Sequence, residues 1–229
     1  MKPESFEISF DHHRLKGDMW DDECRAIVLH GAGQSSRERF SRLRAHLNTR
    51  GLPSVGFDFI GHGETGGRLT GSSLSSRTEQ ATAVIRQTCK EPLTLIAASM
   101  GAYTAILLTR VFRVTNLVLL VPAVYTSRAY HLPFGPEFSA AIRTPYSWKD
   151  SDAFGILEAF TGNLLVVAAE NDSVIPEEVI DMIRQSAVLA RSRHVYTVPG
   201  SAHLRLFPRD GDFNSVIDLI IGMCAFNGT

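Results

Sequence analysis

The sequence predicts an α/β protein in which helices cover both faces of a mostly parallel, eight-stranded sheet. Short β-rich runs alternate with longer segments of helical periodicity along most of the 229 residues. The runs at 26–29 and 164–169 are apolar throughout, and the run at 93–98 is apolar except for Thr94, which is typical of parallel strands covered on both faces. No internal repeat divides the chain, so we expect one domain over residues 1–229, with right-handed crossovers between parallel strands.

The N-terminal elements have distinct strand and helix signals. Apolar and polar residues alternate over 6–10, which predicts a half-buried edge strand, and 15–20 is the expected hairpin partner. After the third strand, helical spacing of apolar residues over 40–47 predicts a helix that Gly51 and Pro53 end.

The central and C-terminal elements continue this alternation. A strand at 53–60 is followed by a glycine-rich loop, and the four residues from Ser76 to Glu79 fit a capping box that opens a helix ending near Thr88. Residues 125–161, which contain three prolines and several aromatic residues, are expected to form a small irregular cap over the sheet. The further strands are expected at 93–98, 117–121, 164–169 and 194–198, and the further helices at 102–110, 177–189 and 213–226.

Composition and charge exclude several classes of protein. The 23 lysines and arginines balance 24 aspartates and glutamates, a formal net charge of −1, so no nucleic-acid partner is expected. The three widely spaced cysteines, Cys24, Cys89 and Cys224, match neither a disulfide framework nor a CxxC metal motif, which favours a reducing compartment. No secretory signal and no apolar stretch of membrane-spanning length is visible, so we expect a soluble, cytoplasmic protein without a membrane span.

Ser99 stands where a predicted strand meets a predicted helix, in the sequence AASMG at 97–101. A tight strand-to-helix turn presents a serine hydroxyl above the edge of a sheet, and small neighbours are needed because the turn crowds the backbone. Ala97 replaces the first glycine of the G-x-S-x-G pattern and is still small. We therefore interpret Ser99 as a nucleophile, with an ordinary helix N-cap serine as the alternative.

The sequence HGAG at 30–33 follows a buried strand. Its glycines let the backbone approach a substrate and turn sharply. The backbone N–H groups of Ala32 and Met100 are therefore candidates for an oxyanion hole, with Met100 at the positive end of a helix. A plain strand-to-helix turn at 30–33 is the alternative interpretation.

Asp172 and His203 each follow a predicted strand, at the same sheet edge as Ser99. A base must take the proton from the serine hydroxyl, and a carboxylate must hold the imidazole of that base in the correct tautomer. The chain order Ser, Asp, His is the order expected for this type of fold. The coincidence of these features predicts a catalytic triad of Ser99, Asp172 and His203.

With these motifs the chain resembles the α/β-hydrolases, in particular the serine-hydrolase branch of monoacylglycerol-lipase-like esterases and serine-aminopeptidase-like (proline-iminopeptidase-like) enzymes. The resemblance implies the α/β-hydrolase fold, with Ser99 as nucleophile, Asp172 as acid and His203 as base, and with oxyanion N–H groups from Ala32 and Met100. The motifs that carry it are HGAG at 30–33, DFIGHGET at 58–65, ASMG at 98–101, ENDSVIP at 170–176 and GSAH at 200–203.

Other polar residues near this edge are weaker candidates. Asp58 is expected to hydrogen-bond loop backbone, and Glu170 is expected to point away from the site. The Asp-His-His sequence at 11–13 is interpreted as a solvated turn rather than a metal site. Ser35 and Ser36 are expected to cap the helix that follows them.

Substrate-binding residues are expected at His30 and in the cap, where Tyr125, Phe134 and Trp148 offer an apolar wall over the serine. The alternative is that these aromatic rings only pack onto the sheet. No acidic cluster that would hold a substrate amine is evident, which disfavours an aminopeptidase.

The expected chemistry is two-step acyl transfer on a small-molecule substrate, with no metal and no organic cofactor. Carboxylesterases, thioesterases and carbon–carbon hydrolases share this triad, and the sequence does not separate them. A non-catalytic ligand sensor on the same fold is the alternative from a different class. The sequence leaves the oligomeric state open.

Overall fold

The computed structural model describes residues 2–225, and within them the eight expected strands form one sheet. In chain order the strands are β1 Glu4–Phe10, β2 His13–Met19, β3 Ala26–Leu29, β4 Ser54–Phe57, β5 Leu93–Ala98, β6 Val114–Leu120, β7 Asn163–Ala169 and β8 Ser192–Val198. Their order across the sheet is β1-β2-β4-β3-β5-β6-β7-β8. The β1–β2 and β2–β4 pairs are antiparallel and the other neighbouring pairs are parallel, so the predicted mostly parallel sheet is confirmed.

Helices cover both faces of the sheet. In the described part of the chain they are α1 Ser41–Thr49, α2 Leu74–Thr88, α3 Met100–Leu108, α4 Pro136–Arg143, α5 Asp152–Glu158, α6 Glu177–Ser186 and α7 Asp210–Ala225. Helices α1 and α7 pack on one face and α2, α3, α5 and α6 on the other. Successive residues of β5 alternate between these cores, with Leu95 and Ala97 on the α3 side and Ile96 and Ala98 on the α7 side.

Most element boundaries differ by a few residues from the sequence-based prediction, those of α2, α3 and β4 among them. Helix α2 begins at Leu74 rather than after a capping box at Ser76, because Ser73 is the N-cap and its Oγ accepts the N–H of Ser76 at 3.0 Å. Helix α3 begins at Met100, two residues earlier than predicted. Strand β4 ends at Phe57, where the chain leaves the sheet for the glycine-rich loop.

Residues 125–161 are more regular than their proline content predicted. They contain α4, α5 and two 3-10 turns. Pro136 begins α4, where its missing N–H costs no intrahelical hydrogen bond, and Ser151 caps α5 by accepting the N–H of Ala153. The prediction of an irregular segment was wrong on this point, since Pro136 starts a helix instead of interrupting one.

The parallel part of the sheet brings several loops to one edge. Strands β3, β5, β7 and β8 run in the same direction, so the loops that follow them leave at the same edge. This edge is where ligands bind in open α/β sheets, and it carries the predicted site residues.

Helix α7 closes the described part of the chain. It ends at Ala225, and Phe226, the predicted last residue of this helix, lies outside the described residues. Neither α7 nor any other helix between residues 2 and 225 is long and apolar enough to cross a membrane.

Candidate active site

Ser99 occupies the turn between β5 and α3 with a strained backbone. Its φ of 50° and ψ of −118° lie where residues other than glycine rarely occur, at a cost of about 1–3 kcal/mol. Its N–H donates to the carbonyl of Leu120 at 3.0 Å, and its carbonyl accepts the N–H of Ala102 at 2.9 Å, so both ends of the turn are held. The hydroxyl makes no helix-capping hydrogen bond within residues 2–225, unlike the ordinary N-cap serine considered as the alternative.

The turn can form because small residues surround it. A Cβ atom on Gly101 would lie 2.7 Å from the carbonyl oxygen of Leu29, so only glycine lets α3 approach β3 this closely. A Cβ atom on Gly31 would lie 3.1 Å from Cβ of Ser99. Ala97 is fully buried within β5, where its methyl group is accommodated in place of the glycine of the usual pattern.

His203 lies between Ser99 and Asp172 and contacts both. Its Nε2 is 3.1 Å from Oγ of Ser99, and its Nδ1 is 2.9 Å from Oδ2 of Asp172. The side chains of His203 and Asp172 are each 9% exposed, so water screens their contact little. A carboxylate only accepts hydrogen bonds, so Nδ1 carries the proton and Nε2 offers its lone pair to the serine hydroxyl.

The loops that carry Asp172 and His203 are tied together by hydrogen bonds. The hydroxyl of the buried Ser201 accepts the N–H of Glu170 at 3.2 Å. In return, Oε2 of Glu170 accepts the N–H of Gly200 at 2.7 Å. Glu170 therefore braces the loop before His203, and its carboxylate is directed to backbone rather than to the imidazole.

The two predicted oxyanion donors come from the loop after β3 and from the start of α3. Ala32 lines the cavity that Ser99 also lines. Met100 is the first residue of α3, and the first N–H groups of a helix have no partner inside the helix. The expected helix capping by Ser35 and Ser36 does not occur: Ser36 makes no capping bond to a described residue, and Ser35 lines the cavity.

His30 is fully buried beneath the loop that carries Ala32. Its Nε2 accepts the N–H of Phe59 at 3.1 Å, so the proton sits on Nδ1, which donates to the carbonyl of Gly31 at 2.7 Å. Burial, together with the charge of Arg77, holds the pKa of His30 well below its usual value. His30 is therefore a neutral support of this loop.

Arg77 is a residue of the site that the sequence analysis missed. It is 1% exposed on α2, and its guanidinium donates to the carbonyls of His30 at 2.6 Å and Gly31 at 3.3 Å. Burial lowers the pKa of Arg77 to about 9. Its spacing, three residues after Leu74 and four before Ala81, places it on the buried face of α2 and is the signal that would have found it.

Asp58 organises the neighbouring loop. It is buried, and its carboxylate accepts the N–H groups of Arg37 at 2.7 Å and Glu64 at 3.0 Å. The guanidinium of Arg37 forms ion pairs with Asp58, Asp18 and Glu64. The Asp58 carboxylate is therefore directed to loop backbone and to Arg37.

The Asp-His-His sequence at 11–13 lies at the turn between β1 and β2. Asp11 and His12 are highly exposed there and approach each other to 3.6 Å. Among residues 2–225, no group of three or more His, Cys, Asp or Glu side chains is placed to hold a metal ion.

A cavity of about 350 Å³ opens directly at Ser99 and His203. Its walls come from the loop and helix after β3, including Phe40 and Leu43, and from the segment after His203, including Phe207. The cavity lies on the α1 and α7 side of the sheet edge. Its size is that of a site for a small molecule.

The four predicted substrate-binding residues, His30, Tyr125, Phe134 and Trp148, do not line this cavity. The three aromatic side chains pack edge-on against neighbouring rings, at centroid distances of 5.6, 4.8 and 6.5 Å respectively. They join the apolar core on the α2 and α3 side of the sheet. The cap therefore packs on one side of Ser99, and the cavity opens on the other.

The strand order, the strained serine turn and the three side chains at one edge define the fold as that of an α/β-hydrolase. The family model Hydrolase_4, described as serine aminopeptidase, S33, matches residues 23–148, more than half of the chain. The chain belongs to this family, and the resemblance seen in the sequence is confirmed.

Solved structures share this fold along nearly the whole chain. The thioesterase domain from the curacin biosynthetic pathway is 16% identical, with a TM-score of 0.73, and the match covers 97% of this chain and 100% of that chain. Est1E from Butyrivibrio proteoclasticus with bound ferulic acid is 17% identical, with a TM-score of 0.73 and coverage of 96% and 98%. A monoacylglycerol lipase from Paleococcus ferrophilus is 16% identical, with a TM-score of 0.70 and coverage of 97% and 100%. No curated protein matches the chain.

Proposed function

We propose that this protein is a serine hydrolase that cleaves a carboxylic ester or a related acyl bond of a small molecule. The observation that carries the proposal is the double contact of His203, 3.1 Å from Oγ of Ser99 and 2.9 Å from Asp172. A histidine in this position takes the proton of an alcohol as that alcohol attacks a carbonyl carbon. Membership of a hydrolase family and the cavity at Ser99 support the same function.

In the first step, Oγ of Ser99 bonds to the substrate carbonyl carbon while its proton passes to Nε2 of His203. The carbonyl oxygen becomes negative and accepts the N–H groups of Ala32 and Met100, and each such donor typically lowers the barrier by about 3–4 kcal/mol. The bond between the carbonyl carbon and the leaving atom then breaks, and His203 gives its proton to the leaving group. Asp172 remains ionised and holds the imidazolium in position.

In the second step, the acyl group on Ser99 is released by water. The water oxygen attacks the acyl carbon while one water proton passes to Nε2 of His203. Collapse of this intermediate breaks the bond to Oγ, the proton returns to Ser99, and the free acid leaves. The enzyme returns to its starting state with one water consumed.

Esters and thioesters both fit this mechanism, since each places a carbonyl carbon beside a good leaving atom. One similar structure is named a thioesterase domain and another a monoacylglycerol lipase, so both bond types belong in the first substrate panel. We rank carboxylic esters first, with thioesters and carbon–carbon bonds next to the carbonyl as the alternatives. A non-catalytic ligand sensor is the alternative from a different class, and the intact serine–histidine contact disfavours it.

Ser99→Ala tests the proposal. A fluorophosphonate probe bonds covalently to an activated serine, so the wild type should be labelled and Ser99→Ala should not. Hydrolysis of short p-nitrophenyl esters should fall by about 10⁴-fold or more in the variant. Ser9→Ala, at an exposed position on the edge strand β1, is the matched control and should retain both labelling and turnover.

An unlabelled wild type that is folded and inactive on every ester and thioester would support the ligand sensor instead. A circular dichroism spectrum of each variant establishes that loss of labelling is not loss of fold.

A further inference from the structure

The charged side chains of arginine and of acidic residues are unevenly distributed around the cavity at Ser99, although the net charge of the protein is near zero. Three arginines line it, Arg39, Arg42 and Arg205. No aspartate or glutamate among residues 2–225 does so. Two carboxylates of α7 are already paired with arginines: Asp210 with Arg42 at 2.6 Å, and Asp212 with Arg209 at 2.8 Å.

Two of the three arginines have no carboxylate partner in the described part of the chain. The guanidinium of Arg39 donates to the carbonyl of Leu204 at 2.6 Å, a neutral acceptor that leaves its charge uncompensated. Arg205 is exposed, and no described residue hydrogen-bonds or pairs with its side chain. Its backbone is held in the tight turn from Ala202 to Arg205, directly around His203. The backbone of Arg205 is thus fixed two residues from His203, and its positive side chain lines the cavity with its charge free to meet a ligand.

The remaining walls are apolar. Phe40, Leu43 and Phe207 line the cavity, and Leu204, 76% exposed, lies at its mouth beside His203. A ligand that fits combines a hydrocarbon portion with a negative group, because the apolar walls bury the first and the guanidinium groups bind the second. The planar guanidinium donates two parallel hydrogen bonds to a carboxylate or a phosphate.

We propose that the cavity selects an acyl substrate that carries a carboxylate or phosphate away from the reacting carbonyl, with Arg205 and Arg39 as the residues that recognise it. This proposal rests on the proposed hydrolase function and names the substrate class of the same site. It also separates this chain from an aminopeptidase, since the same arginines repel the ammonium group of an N-terminal amino acid.

Pairs of substrates that share the same reacting bond, one member charged and the other neutral, test the proposal. Mono-p-nitrophenyl glutarate carries a carboxylate on the acyl side, and its methyl ester is the neutral match. Butyryl-coenzyme A carries phosphates on the leaving group, and the butyryl thioester of N-acetylcysteamine is its neutral match. We expect kcat/KM to favour the charged member of at least one pair by about tenfold, and added salt should reduce that preference. The pair that shows the preference identifies where the negative group lies.

Arg205→Gln should lower the charged-to-neutral ratio of kcat/KM by about three- to tenfold, mainly through KM of the charged substrate. Arg39→Gln should lower it as well. Arg86→Gln is the matched control, because Arg86 is exposed on α2 across the sheet from the cavity, and its ratio should equal that of the wild type.

The outcomes separate this proposal from the proposed function. Turnover of the neutral substrates as fast as the charged ones, with a ratio that Arg205→Gln leaves unchanged, would overturn the anionic-substrate proposal and leave the hydrolase intact. Preferred turnover of leucine p-nitroanilide over both ester pairs would also overturn it. A wild type without turnover on any substrate and without fluorophosphonate labelling would instead overturn the hydrolase function.

Discussion

Asp172 uses its two carboxylate oxygens for different tasks. Oδ2 faces Nδ1 of His203 at 2.9 Å, and Oδ1 accepts the N–H groups of Val174 and Ile175. The backbone bonds fix the carboxylate so that it cannot rotate away from the imidazole. The orientation of His203 therefore depends on the loop after β7 as much as on Asp172 itself.

Asp172→Asn should reduce kcat/KM on p-nitrophenyl esters by about 10³–10⁴-fold. The amide oxygen still accepts the two backbone N–H groups, so the NH₂ group faces His203 and the proton moves to Nε2, the wrong tautomer for accepting the serine proton. Steady-state kinetics of the purified variant measure the effect.

Glu170→Gln is the control for this prediction, because it replaces a carboxylate two residues away that binds the N–H of Gly200. The kcat/KM of Glu170→Gln should fall by less than about tenfold, because the amide oxygen of glutamine still accepts the N–H of Gly200. A silent Asp172→Asn would contradict the role of Asp172 as the acid, and an equal loss in Glu170→Gln would contradict the different roles given to the two carboxylates.

At the scale of secondary structure, the site depends on how closely α3 approaches the end of β3. The start of α3 carries Met100, and the loop after β3 carries Ala32, so this approach sets the distance between the two proposed oxyanion donors. Gly101 allows it, because a side chain there would meet the carbonyl oxygens of Leu29 and His30, each 2.7 Å away. The obstacle is backbone on both sides, which cannot move aside as a flexible side chain can.

Gly101→Ala should lower the free energy of unfolding by about 1–3 kcal/mol and reduce kcat on p-nitrophenyl esters by at least about tenfold. The added methyl group pushes α3 away from β3 and separates the N–H groups of Ala32 and Met100. Chemical denaturation and steady-state kinetics measure the two effects.

Gly155→Ala is the matched control, because Gly155 lies in α5 and a Cβ atom there has no neighbour within 4 Å among the described residues. It should raise the free energy of unfolding by about 0.5–1 kcal/mol, since alanine favours helix over glycine. A stable, fully active Gly101→Ala would show that the approach of α3 to β3 does not limit the site.

For the whole molecule, the dependence of stability on pH comes from basic groups that are buried in the folded state. His30 is fully buried and His62 nearly so, and the guanidinium of Arg77 lies near both. Burial, followed by the charge of Arg77, lowers the pKa of each histidine below the usual value near 6.5. The native state therefore holds both rings neutral in a range of pH where the unfolded chain binds protons.

The free energy of unfolding should fall by about 1–2 kcal/mol between about pH 7.5 and about pH 5. A histidine whose pKa is lower in the folded state than in the unfolded chain stabilises the folded state at pH values above its unfolded pKa. This stabilisation is lost as the pH falls below the unfolded pKa, because the unfolded chain then binds a proton that the folded state does not. The carboxylates of Glu64 and Asp212 have a lowered pKa and change their protonation only at lower pH. The change in the free energy of unfolding between about pH 7.5 and about pH 5 therefore comes from the histidines. Urea denaturation at a series of pH values measures the dependence.

His30→Gln should weaken this dependence on pH, because glutamine does not titrate. His12→Gln is the control: the His12 side chain is 94% exposed, and the variant should follow the wild-type curve. A free energy of unfolding of the wild type that does not change between about pH 7.5 and about pH 5 would contradict the prediction.

The sequence by itself determined the sheet and the family. Alternation of apolar strands and amphipathic helices is a local property of the chain, and it predicted the eight mostly parallel strands, while the motifs between residues 30 and 203 predicted the α/β-hydrolase family. It also located the three side chains that meet at the sheet edge, because Ser99, Asp172 and His203 each lie in the turn or loop after a parallel strand, and such strands end together. Their catalytic roles are proposals that the variants above test.

Only the tertiary structure decided where the cavity lies and which residues line it. The sequence predicted the aromatic residues of 125–161 as a wall of the substrate pocket. In the structure they pack on the α3 side of the sheet, while the cavity opens on the α7 side. Arg205 carries no motif, and the surroundings of both Arg77 and Arg205 come from segments distant in the chain. Local patterns determine which elements form and which face of each is apolar. The direction in which a loop folds over the sheet edge depends on packing between distant elements, and that packing determines the substrate side of this site.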